Sequence, residues 1–125
     1  MVTDWTALTK ELSRPLREMR GGAPDVMKAF SGMAQAALRT NALDTRTKEL
    51  IALAIGVAVR CDDCIAFHTK AAIEQGASRE EILETLGMAI YMGAGPSVMY
   101  AAHALDAYGQ FSEGKAQSQE PAASP

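Results

Sequence analysis

Apolar residues recur at steps of three and four along almost the whole chain, and this spacing restricts the fold more than any other feature. In a helix, such positions share one face. Alternating runs of Val, Ile and Thr, and the Asn-Gly or Asp-Gly turns that join hairpin strands, are missing from the sequence. Alanine, the strongest helix former, accounts for 23 of the 125 residues. The pattern therefore predicts an all-α protein.

Capping and breaking residues divide this pattern into about six short helices. We expect them over residues 4–20, 24–41, 45–59, 62–76, 78–92 and 96–111. Pro15 should kink or split the first, because proline lacks an amide proton and clashes with the preceding turn. The Ser78–Glu81 segment has the pattern of a capping box. The segment 93–96, Gly-Ala-Gly-Pro, should separate the last two helices.

Length and composition predict a single domain. With 48% hydrophobic residues, the chain can form a core without disulfide bonds. We expect a helical domain over residues 1–111 with its core in 23–111. We expect a disordered tail over 112–125, where no aliphatic side chain is larger than alanine.

Charge and hydropathy exclude several classes of partner. A net charge of −3 without a basic run disfavours binding to nucleic acid or to an anionic membrane surface. The longest apolar run, residues 50–59, has ten residues, whereas a membrane-spanning helix needs about 20. It predicts a helix buried on most sides. We expect a soluble cytoplasmic protein with its two thiols reduced.

Cys61, Cys64 and His68 form the one cluster that points to chemistry. On a helix, Cys64 and His68 share a face, and Cys61 lies at the predicted N-terminus, where the helix dipole favours a thiolate. Such a cysteine pair can close to a disulfide, and the imidazole can take a proton from Cys64. Glu49 on the preceding helix is a candidate to orient the imidazole.

Two other interpretations of this cluster stay open. The cysteines could be small buried hydrophobes beside a core histidine, and Glu49 a solvated first-turn residue. Alternatively, Cys61, Cys64 and His68 could bind zinc with His103 as a fourth ligand. His103 is more typical of a packing residue, because nothing in its spacing ties it to the cysteines.

The pattern Glu49-x11-Cys61-x2-Cys64-x3-His68, with its flanking segments 45–78 and 91–108, resembles the alkylhydroperoxidase D-like family of the carboxymuconolactone decarboxylase superfamily. The similarity covers about residues 23–111. It implies an all-α fold, assembly as a homo-trimer or homo-hexamer, and thiol-dependent reduction of hydroperoxides without metal, flavin or haem.

The resemblance also assigns roles to four residues. Cys64 would attack the peroxide and Cys61 would resolve the product, while His68 deprotonates Cys64 and Glu49 relays the proton. A dithiol donor, such as a dihydrolipoyl or thioredoxin-like protein, would restore the thiols. Asp63 stands where the best studied branch has a further histidine. The alternatives are a non-catalytic redox-sensing or zinc-binding member of the fold, and a lactone decarboxylase, whose branch lacks the cysteine pair.

Overall fold

The computed structural model describes residues 2–119, which contain helices and no strand. The helices are α1 (Trp5–Gly22), α2 (Pro24–Leu38), α3 (Thr45–Ala58), α4 (Asp62–Glu74) and α5 (Arg79–Gln119). Helix α5 is interrupted at Ala94, whose backbone is not helical (φ 57°, ψ −148°). The all-α prediction is confirmed, and the predicted fifth and sixth helices are the two parts of α5.

Local chemistry sets three of the helix ends where the sequence predicted them. Asp44 caps α3 by accepting the Thr47 N–H at 2.8 Å. Before α5, the Ser78 hydroxyl accepts the Glu81 N–H at 3.1 Å, and the Glu81 carboxylate accepts the Ser78 N–H at 2.9 Å. This reciprocal pair is a capping box. Gly76, with φ 88°, follows α4 in the left-handed conformation that glycine adopts without strain.

The core lies between α3, α4 and α5, with one large residue added from α1. Trp5 is fully buried, its indole N–H donates to the Asp106 carboxylate at 3.0 Å, and its backbone N–H donates to the Gln110 side chain at 2.7 Å. This aromatic side chain at the start of α1 is both buried and hydrogen-bonded, so the hydrophobic core includes a residue that lies before the range 23–111.

Two expectations about helix length need correction. Pro15 does not split α1, which continues to Gly22; the residue lies on the exposed surface, where water can hydrate the carbonyl that its ring leaves unpaired. Helix α5 extends through 112–119, which were expected to be disordered. Phe111 is buried just before this stretch, and within it the Lys115 ammonium donates to the Ile73 carbonyl at 3.4 Å. The rest of the expected tail, residues 120–125, lies outside the described residues.

Helices α2 and α3 leave apolar surface uncovered in the single chain. No residue of α2 is buried. In the single chain the run 50–59 is not buried on most sides as expected, because Ile51, Ile55 and Val59 are 45%, 56% and 65% exposed. Only the opposite face of α3 packs into the core. Within residues 2–119, no helix combines the length and the hydropathy needed to cross a membrane.

Candidate functional site

The turn between α3 and α4 places both cysteines at one helix end. Arg60 takes a left-handed conformation (φ 62°), and the next N–H, that of Cys61, donates to the Gly56 carbonyl at 2.9 Å. Cys61 is then the N-cap of α4, and its sulfur accepts the Cys64 N–H at 3.1 Å. A sulfur that accepts a helix amide is stabilised as a thiolate.

Cys61 and Cys64 are joined by a disulfide, with their Cα atoms 5.2 Å apart. This separation is within the range of about 4.4–6.8 Å usual for disulfides. Both residues are half-buried, so a reactant in solution can reach them. The turn therefore supplies a pair of sulfurs that can cycle between dithiol and disulfide.

Glu49 and His68 form a second pair of polar side chains at the site. The Glu49 carboxylate lies 2.7 Å from Nδ1 of His68. Glu49 is only 5% exposed, and carboxylates are seldom buried without a partner. The contact fixes the orientation of the imidazole and leaves its Nε2 edge away from Glu49. Across residues 2–119, no hydrogen bond joins His68 to either sulfur of the disulfide.

His103 lies elsewhere. Its ring stacks on Tyr100 with centroids 5.7 Å apart and meets Trp5 edge to face at 5.8 Å. Its Nδ1 atom is buried without a hydrogen-bond partner. The residue packs in the aromatic part of the core, in agreement with the packing interpretation. In the described part of the chain, no group of three or more His, Cys, Asp or Glu residues is arranged to hold a metal ion.

Gly56 is a site residue that the sequence reasoning missed. A Cβ atom at this position would lie 3.1 Å from the Cβ of Cys64, so α3 and α4 meet here at unusually short range. The available signal was a lone glycine inside an apolar helical run, which usually has a packing or functional reason.

Comparison with known proteins agrees with this geometry. The carboxymuconolactone decarboxylase family model matches residues 24–107, well over half of the chain. The chain belongs to this family. A carboxymuconolactone decarboxylase family protein from Legionella pneumophila is 51% identical, and its crystal structure aligns with a TM-score of 0.85 over 86% of this chain and 96% of that one.

Two further relatives extend the comparison. A family protein from Thermotoga maritima, described in connection with the antioxidative response, is 31% identical, with a TM-score of 0.79 over 88% of this chain and 94% of that one. An uncharacterized protein of Cupriavidus necator is 41% identical over 84% of this chain and 93% of its own length. The family fold and a cysteine pair able to form a disulfide are therefore established here.

Proposed function

We propose that this protein is a thiol-dependent peroxidase that reduces hydroperoxides through a Cys61–Cys64 dithiol–disulfide cycle. The observation that carries the proposal is a disulfide at the N-terminus of α4, one helical turn from a histidine paired with a buried glutamate. The description of the Thermotoga maritima relative in connection with the antioxidative response points the same way.

The first step is attack of the Cys64 thiolate on the O–O bond. Sulfur forms a bond to the terminal oxygen, and the O–O bond breaks. A sulfenic acid remains on Cys64, and the other oxygen takes up one proton and leaves as an alcohol, or as water when the substrate is hydrogen peroxide. His68 removes the thiol proton beforehand and can return it to the leaving oxygen. Glu49 holds the imidazole and stabilises its charged form.

The second step closes the disulfide. The Cys61 sulfur attacks the sulfenic sulfur of Cys64, the S–O bond breaks, and the hydroxyl leaves as water with the proton from Cys61. No other oxidant is required. The product is the disulfide that the structure contains.

The third step consumes a dithiol donor, for which we propose a dihydrolipoyl or thioredoxin-like protein of the cytoplasm. One donor thiolate attacks Cys64 and releases Cys61, and the second donor thiol then displaces Cys64, so that the donor leaves as a disulfide. A thiolate that is better stabilised leaves faster. The amide hydrogen bond to the Cys61 sulfur suits it to leave first.

Turnover is the direct test of this function. Reduced protein should consume hydrogen peroxide and tert-butyl hydroperoxide repeatedly when dihydrolipoamide is supplied, and the double variant Cys61→Ser/Cys64→Ser should not. Non-reduced peptides should show the Cys61–Cys64 disulfide after peroxide treatment. Oxidation without repeated turnover by any donor would favour a redox sensor, and thiols that still alkylate freely after peroxide would refute both.

The roles of the two sulfurs are tested by single variants. Cys61→Ser should react once and accumulate a sulfenic acid on Cys64, detected as a dimedone adduct, because no resolving thiol remains. Cys64→Ser should not react at a comparable rate. A dimedone adduct on Cys61 in the Cys64→Ser variant, formed as fast as in the other variant, would reverse the assignment.

A further inference from the structure

Gly56 contacts both cysteines of the redox pair, although it lies on the preceding helix. Its carbonyl accepts the N–H of Cys61 at 2.9 Å. On the other side, the position where a Cβ would stand faces the Cβ of Cys64 at 3.1 Å. We propose that Gly56 is a positioning residue that sets the dithiol–disulfide equilibrium of Cys61 and Cys64.

The short approach requires the absence of a side chain. An ordinary contact between carbon atoms is about 3.5–4.0 Å, so a methyl group at Gly56 would sit too close to the Cys64 Cβ. It would also contact the Cys64 carbonyl carbon and the Ile65 nitrogen, both at 3.6 Å. Glycine is a poor choice inside a helix unless such an approach needs it. An alanine here would push the first turn of α4 away from α3.

That displacement acts on the two cysteines differently. The Cys61 amide remains held by the carbonyl of residue 56 at the end of α3, while Cys64 moves outward with α4. The oxidised protein couples the two residues through the S–S bond and resists the movement, whereas the reduced protein leaves both side chains free to rotate. Gly56 therefore favours the disulfide, and a larger residue there favours the dithiol.

The inference rests on the dithiol of the proposed function and does not depend on peroxide being its oxidant. The test is equilibration of the full chain with glutathione. In this reaction the protein disulfide and two glutathione thiols give the protein dithiol and one glutathione disulfide. A protein inactive toward peroxides still gives a valid result here, so failure of the inference and failure of the proposed function are distinguishable.

Gly56→Ala should lower the equilibrium constant for disulfide formation by about tenfold, which is about 30 mV for a two-electron couple. The matched control is Gly87→Ala in α5, which adds the same methyl group where, beyond the chain neighbours and the backbone of its own helix, no atom lies within 4 Å. The control should leave the equilibrium constant unchanged. An unchanged constant in Gly56→Ala would overturn the proposal, as would an equal shift in the control.

A second measurement separates positioning from simple packing. The substitution hardly affects the cysteine pair in the unfolded chain. Gly56→Ala should therefore raise the unfolding equilibrium constant of the oxidised protein more than that of the reduced protein. The ratio of these two increases should equal the factor by which the constant for disulfide formation falls. Equal losses in both redox states would show that Gly56 serves packing alone and would overturn the proposal.

If Gly56→Ala does not fold, the measurement is repeated with Gly56→Ala in a protein that also carries the substitutions Gly87→Ala and Gly109→Ala. Both positions are helical and have open space around the added methyl group, so the changes should raise stability. A Gly56→Ala protein that folds there must show the shifted equilibrium. One that still does not fold would show that Gly56 is needed to pack α3 on α4 as a whole, which also overturns the proposal.

Discussion

At the scale of single residues, the pair of Glu49 and His68 is the least expected arrangement for a core of this kind. A buried carboxylate loses its hydration, and this cost is offset only by a charged or hydrogen-bonding partner. His68 is that partner, at 2.7 Å, and it is one-third exposed. The pair therefore connects the interior of the molecule to the surface on which the disulfide lies.

His68→Ala should slow the reaction of the reduced protein with peroxide by about 10²–10⁴-fold, the usual effect of removing a general base. It should also lower stability, because Glu49 is left buried without its partner. Glu49→Gln keeps a hydrogen-bond acceptor for the imidazole and should cost less. Stopped-flow rates of the reaction with peroxide, over a range of pH, measure the rate losses of the two variants. Glu74→Gln, an exposed change on α4, is the control, and a loss in Glu49→Gln as large as in His68→Ala would contradict the proposed division of roles.

At the scale of the helices, three of the helix starts depend on ionised side chains. The Ala7 amide holds the pKa of Asp4 below its ordinary value, and the Ser78 amide does the same for the pKa of Glu81. The hydroxyl and amide of Thr47 lower the pKa of Asp44. Each carboxylate is thus bound more favourably in the folded chain than in the unfolded one.

Acidification should therefore destabilise the protein. A carboxyl group whose pKa is lowered on folding contributes fully above its unfolded value, 3.8 for Asp44, and its contribution is lost as the pH falls through the lower folded value. Asn is also a good N-cap but does not ionise, so Asp44→Asn should lose less stability between neutral pH and pH about 3. Urea unfolding at several pH values measures this. If the wild-type protein and Asp44→Asn lost the same stability on acidification, the role of the ionised Asp44 at the start of α3 would be contradicted.

The interruption of α5 is another property of an element rather than of a single residue. A Cβ atom on Gly93 would collide with the Ser97 hydroxyl and would lie 3.9 Å from the Cα of Ala58. The next residue, Ala94, takes a positive φ that is unfavourable for a side chain with a Cβ. The two parts of α5 therefore meet closely where they pack against the end of α3, just before the turn that carries the cysteines.

At the scale of the whole molecule, apolar surface is left uncovered on several helices. Large hydrophobic side chains more than half exposed include Met19, Val26, Phe30, Met33, Ile55, Val59, Met88, Tyr91, Met92 and Met99. Monomeric proteins seldom expose this much apolar surface. We propose that copies of this chain assemble into a closed homo-oligomer, a trimer or a hexamer, in which these faces cover one another.

Light scattering at micromolar concentration should therefore give a mass of three or six times the 13.3 kDa of one chain. Phe30 is 59% exposed on α2, and Phe30→Asp should shift the assembly toward smaller species, because a charge would be buried in the interface. Lys28→Asp on the same helix changes charge without removing apolar area and is the control. A wild-type protein that is monomeric at this concentration would refute the assembly.

The sequence by itself determined those features of the structure that depend only on residues within about one helical turn of each other. The caps at Asp44 and Ser78, the stop at Gly76 and the break before Pro96 all follow from local backbone chemistry, which is why they could be placed in advance. The cysteine pair belongs to the same group, because two residues three positions apart at a helix start are close in any helical fold.

Only the tertiary structure decided which faces meet. The indole of Trp5 bonds Asp106 across 101 positions of sequence, and Gly56 receives Cys64 because α3 and α4 approach closely there. Helix α5 continues past Phe111, where Lys115 reaches the end of α4. Helix α2, in contrast, has no buried residue in the single chain, although its sequence has an apolar face. Periodicity shows that a face is apolar but not what covers it, since burial depends on the positions of distant elements.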